Sequence, residues 1–172
     1  MALYNHVESK EDVLDAALDS LLLELELSDD PARPAAEVLV EHAERHLAHL
    51  QANRWAIPAL FQRPDPGEGA ALIGEAYFVT AIRGGADPQT AVDIFAAILV
   101  AVYGAAGFLG SEGESQQTRE EIAAMIAQVP FPATASVAGP LAAYGDDAQL
   151  HRILTALVSG LLPGQPGDGP RT

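Results

Sequence analysis

Met1-Ala-Leu-Tyr-Asn-His-Val-Glu-Ser-Lys-Glu-Asp-Val-Leu14 reads as the end of one helix, a tight break and the start of another. Ser9 is a good N-cap, because its hydroxyl can accept a backbone N–H of the first turn. Asp12, three residues on, can return that bond or oppose the helix dipole. Val13, Leu14, Ala17, Leu18, Leu21, Leu22 and Leu25 then recur at helical spacing, which predicts a helix over 9–27.

The bulk properties agree with a helical body. The chain has 172 residues, 49% of them hydrophobic, enough for one domain with its own core. Val, Ile and Thr are sparse beside Ala and Leu, which favours helix over strand. There is no cysteine, so neither a disulfide framework nor a thiolate metal site is available, and a cytoplasmic location fits. The formal net charge is −15 with only nine Lys and Arg. Such a surface repels phosphate, which argues against nucleic-acid binding by these residues alone.

Outward from the opening stretch, turn signals divide the chain. Ser28-Asp-Asp-Pro-Ala-Arg-Pro34 breaks the first helix, and Pro34 can open the next, expected to run to about Asn53. Its apolar stripe is Leu39, Val40, Ala43, Leu47 and Leu50. Arg54 to Gln62 should be a short helix bent near Pro58, and Arg63 to Gly69 a loop. Residues 70–83 return to helix, ended by Gly84-Gly85 through left-handed backbone. Asp87 and Pro88 form a cap and first turn for a long helix. From Ile94 to Leu109 that helix carries no charge, so it must be buried in a core or a membrane. The run falls short of the roughly 20 apolar residues that a bilayer span needs, so no membrane is expected. Its Gly104 and Gly107 suit close helix–helix approach. Further helices are expected over 118–129, 134–144 and from the Asp146 cap to 162, followed by a disordered tail over 163–172.

The opening stretch also carries a family resemblance. Leu3-Tyr4-x-His6-Val7-x-Ser9-Lys10-x-x-Val13-Leu14 resembles the end of the DNA-recognition helix and the start of the next helix in TetR-type repressors. The order of later elements is similar to the TetR-type regulatory domain, down to Phe131-Pro132 before a short Ala-rich piece and a last amphipathic helix. The resemblance implies an all-α fold of about seven helices, the C-terminal regulatory domain of the family, dimerising through a four-helix bundle. It implies a homodimer through helices 90–110 and 147–162, with 1–8 the remnant of the recognition helix and 9–162 the body. Tyr4, His6 and Lys10 match family positions that contact DNA phosphates. The helices that precede them in the family are absent here, so operator DNA is expected as a partner only in a form carrying that head.

The resemblance further implies a pocket for a small effector, which the residues suggest is apolar. His42, His46 and His49 fall in one narrow sector of the central helix at roughly 100° per residue. His42 and His46 are one turn apart, a spacing at which two imidazoles can share a metal. No second helix of carboxylates accompanies them, so no metal and no cofactor is expected. A polar fixture in an apolar pocket is the preferred role for His46, with His42 beside it. Trp55, Phe61, Tyr77, Phe95 and Tyr103 fall on the helices that line the family's pocket and are its expected walls. No serine has a nucleophile-elbow context and no Gly-rich phosphate loop follows a strand, so nothing suggests a catalyst. The expected function is a ligand-responsive transcriptional regulator acting as a repressor. The competing reading is a stand-alone helical binding or dimerisation module without DNA binding.

Overall fold

The computed structural model describes residues 9–63, 67–108, 116–143 and 147–163. Tyr4, His6, the Asp146 cap and the tail from residue 164 lie outside the described residues. The described chain is all helical: α1 Lys10–Leu23, α2 Ala35–Ala52, a 3-10 turn Arg54–Ala56, α3 Ile57–Gln62, α4 Glu68–Arg83, α5 Pro88–Phe108, α6 Gln116–Ala127, α7 Pro132–Ser136, α8 Ala138–Ala142 and α9 Asp147–Leu161. The sequence suggested about seven helices. The higher number arises partly because the expected piece over 134–144 divides at Val137 into two five-residue helices.

The opening of α1 is as its sequence dictates. The Ser9 hydroxyl accepts from the Asp12 N–H at 3.2 Å, and the Asp12 carboxylate accepts from the Ser9 N–H at 2.9 Å, a reciprocal capping box. Its end is earlier than the apolar periodicity suggests, at Leu23 rather than 27. The cause is tertiary. Three side chains of α2 bind carbonyls of the departing chain: His49 donates to Leu21 at 2.8 Å, Arg45 to Glu26 at 2.6 Å and His42 to Ser28 at 3.2 Å. These bonds hold residues 24–28 along α2 instead of in a further helical turn.

α2 is the centre of the fold, packed against α4, α5 and α9. Its expected stripe of Leu39, Val40, Ala43, Leu47 and Leu50 is buried throughout. α9 covers α2 and α5 through Leu150, Leu154 and Val158, the buried members of its repeat. α1 rests on α4, where Gly69 lets the two backbones meet. A Cβ at Gly69 would lie 2.7 Å from Leu22 Cβ and 2.8 Å from the Asp19 carbonyl oxygen. The Asp19 carboxylate also accepts the Gly69 N–H at 2.7 Å. At the other end of α4, Gly85 alone takes a positive φ of 94°, while Gly84 stays right-handed. The 28–34 connector is fastened there by Arg83, which donates to both oxygens of Asp29 at 2.7 Å, with the Thr80 hydroxyl donating to the same carboxylate at 3.1 Å.

α5 begins as expected, with the Asp87 carboxylate accepting from the N–H groups of Gln89 and Thr90. It is 21 residues long, because Pro88–Asp93 precede the uncharged run. The uncharged run is as short as expected, but the helix that carries it is longer. Among the described residues, Pro88–Gly107 is long and apolar enough to cross a membrane by length and composition. Within one protomer the helix is buried on one face only. Ala91, Ile94, Ile98 and Val102 face α2, α4 and α9 and are buried, whereas Val92 and Val100 are 48% and 76% exposed. α6, α7 and α8 pack chiefly on one another.

Candidate functional site

α1, α2, α3, α4 and α5 line a half-open cavity of about 940 Å³, near the upper end of the usual range for small-molecule sites, about 300–1,000 Å³. Its shape follows from residue size at the helix crossings. α2 contributes His46, α1 contributes Leu22, and α3 contributes Leu60 and Phe61. The start of α4 offers only small side chains, Ala70 and Ala71, before Ile73. α5 presents Phe95, Leu99 and Tyr103 on one side and Val100, Gly104 and Gly107 at i, i+4 and i+7 on the other. The two glycines do not serve a close approach of helices within this protomer, contrary to the sequence expectation. Among the described residues, nothing lies within 4 Å of where a Gly104 Cβ would be, and Gly107 would meet only the Phe61 ring, at 3.9 Å. They leave room instead.

The lining is apolar apart from His46, Tyr103 and Arg63. Arg63 is the one charged lining residue among the described residues and pairs with Asp15 of α1. His46 is 1% exposed, and neither of its ring nitrogens has a hydrogen-bond partner among the described residues. Its ring meets Tyr103 edge-on at 5.7 Å, and Tyr103 meets Phe61 in the same way at 5.7 Å. Burial pushes the His46 imidazolium pKa down to about 4, with His49 adding to the shift, so the ring is neutral at physiological pH. A neutral imidazole offers one donor and one acceptor. Burial also pushes the Tyr103 phenol up, so it too stays uncharged.

The expected walls separate into three groups. His46, Phe61, Phe95 and Tyr103 line the cavity. His42 and Tyr77 are buried behind it, with their rings edge-on at 5.4 Å. Tyr77 touches the wall through Phe95, centroid to centroid 5.5 Å. Trp55 is not on the wall: it is 55% exposed, because it lies in the 3-10 turn where Ala56 takes the inward position. Lys10 is exposed at the start of α1. Among the described residues, no group of three or more His, Cys, Asp or Glu side chains is arranged to hold a metal. His42 and His49 spend their Nε2 hydrogens on carbonyls instead. The sequence reading missed Arg63, Leu22, Leu99 and the small residues. A run of Gly and Ala at helix crossings was the available signal, and it is easily taken for tight packing.

No protein-family model matches the chain. No curated protein is similar to it in sequence. Among solved structures, the Streptomyces coelicolor TetR family protein ActR, in complex with (S)-DNPA, is similar, with a TM-score of 0.78 and 21% identity. The alignment covers 93% of this chain and 79% of that one. The helical order, the central α2 and this structural likeness together give the chain the all-α fold of a TetR-type regulator.

Proposed function

We propose that these residues form the effector-binding and dimerisation body of a ligand-responsive transcriptional regulator of the TetR type, acting as a repressor. The observation that carries the reading is His46, a buried and unpartnered imidazole on the wall of a large, otherwise apolar cavity. Leaving a buried polar group unpaired costs about 1–3 kcal/mol, and a ligand that pairs with it recovers that cost. The effector is small, mainly apolar and uncharged, since the only charged wall residue among the described residues already has a carboxylate partner.

The cavity is placed to affect α1. Arg63 on its wall pairs with Asp15, Leu22 on its wall belongs to α1, and Ala70 adjoins Gly69, on which α1 rests. A ligand acts as a switch only if it favours one arrangement of α1 over another. Exposed Val92 on α5 and exposed Ile153 and Leu161 on α9 supply the apolar surface for a two-fold mate. Contact with operator DNA would come through a head attached before α1, with Tyr4, His6 and Lys10 at the phosphates.

Thermal unfolding with a panel of uncharged aromatic compounds, with (S)-DNPA run beside it because the similar ActR was solved with it, tests the reading. A compound that raises the Tm of the wild type should raise that of Trp55→Phe equally and that of His46→Ala far less. Equal stabilisation of all three proteins would place the ligand elsewhere.

A further inference from the structure

Behind the cavity wall lie two more buried polar atoms without a hydrogen-bond partner among the described residues, His42 Nδ1 and the Tyr77 hydroxyl. Folded interiors leave few such atoms unpaired. With the two nitrogens of His46 they form one neighbourhood. His42 is one turn from His46 on α2, and Tyr77 is one turn from the wall residue Ile73 on α4, each step about 6 Å of helix rise. Phe95 joins the two places, since its ring lines the cavity and also touches Tyr77.

The hydrogen-bond roles decide what fits. His42 Nε2 donates to the Ser28 carbonyl. Burial lowers the His42 pKa, so the ring is neutral and its Nδ1 is a pure acceptor. The Tyr77 phenol can donate and accept. A ligand hydroxyl satisfies both at once, donating to His42 Nδ1 and accepting from Tyr77. At His46 a ligand carbonyl can accept from the one ring N–H. A charged terminus would shed its hydration beside neutral rings, which is costly.

We infer that the cavity continues past Phe95 to an inner hydroxyl-binding station made by His42 and Tyr77. The inference rests on the cavity reading above and narrows it. The effector is an elongated, uncharged, mainly apolar molecule with a carbonyl or similar acceptor at the level of His46 and a hydroxyl about one helical turn deeper, ~6 Å. The Phe95 side chain turns aside to admit it.

Three small molecules test this: 4-hydroxybenzophenone, with a ketone and a hydroxyl at opposite ends of one ring, benzophenone, which lacks the hydroxyl, and 4-benzylphenol, which lacks the ketone. Calorimetric titration at a mildly acidic pH keeps the phenol protonated. In the wild type, 4-hydroxybenzophenone should bind about tenfold tighter than benzophenone, the usual weight of a buried hydrogen bond. In Tyr77→Phe that ratio should fall several-fold, since only the bond to His42 Nδ1 is left, with the affinity for benzophenone unchanged. In His46→Leu the advantage over 4-benzylphenol should vanish while the advantage over benzophenone stays. A tenfold ratio that survives Tyr77→Phe overturns the inner station and leaves the cavity standing. Failure of all three compounds to bind the wild type overturns the station and counts against the cavity as well. Without ligand, Tyr77→Phe should melt no lower than the wild type. A markedly lower Tm would mean that the hydroxyl already has a partner and would also overturn the station.

Discussion

Replacing His46 by Leu should make the protein more stable and less able to bind, and the gain should grow as the pH falls. At pH 7 the substitution removes a buried imidazole whose nitrogens are unpaired, relieving about 1–3 kcal/mol. It also loses the edge-on contact with Tyr103, a cost of about 0.5–1.5 kcal/mol. The net gain is about 1 kcal/mol. The pH dependence comes from linkage. His46 titrates near 6.5 when unfolded and about 4 when folded, so between those values the unfolded chain binds more protons. The stability of the wild type is therefore intact above about pH 6.5 and is lost as the pH falls toward 4, by about 3 kcal/mol at about 1.4 kcal/mol per unit. His42 shifts in the same direction, and the carboxylates also titrate, but both are present in the two proteins and cancel in the comparison. Urea denaturation followed by circular dichroism, at one protein concentration and at pH 7 and pH 4, gives the two differences. The variant should lead by about 1 kcal/mol at pH 7 and about 4 at pH 4. A variant less stable than the wild type at pH 7, or a lead that does not widen with acid, would show that His46 has a partner or stays charged inside.

Gly69→Ala should lower stability by about 1–3 kcal/mol, because its Cβ would meet backbone and Cβ atoms of α1 at 2.7–2.9 Å; a Tm equal to the wild type would mean that α1 does not sit against α4 as described. Ile153→Glu places a charge on a half-exposed position of α9; sedimentation should show a dimer for the wild type and a monomer for the variant, and a wild-type monomer at micromolar concentration would remove the proposed interface. These 172 residues, at net charge −15, should bind duplex DNA negligibly at any salt concentration; salt-sensitive anisotropy changes with a duplex would contradict this.

Much of the helical frame was determined by the sequence itself, because local signals and core periodicity agree. Ser9 and Asp12 cap α1, Asp87 and Pro88 start α5, and the stripe of α2 is buried residue for residue. The reading faltered where a neighbour outvoted the local pattern. α1 stops at Leu23, where α2 side chains bind the Glu26 and Ser28 carbonyls of the chain that follows. Trp55 points outward because a 3-10 turn has three residues per turn, and a 3.6-residue period does not say which side chain faces in. The site shows the same division. Periodicity alone placed His46 near the apolar stripe. That its nitrogens meet no partner depends on α5, brought against α2 from far along the chain, and on small residues whose absence of bulk becomes a cavity only when five helices converge. A sequence records which side chains are present, whereas an unpaired nitrogen and an open space are properties of what packs around them, and only the tertiary structure decides those.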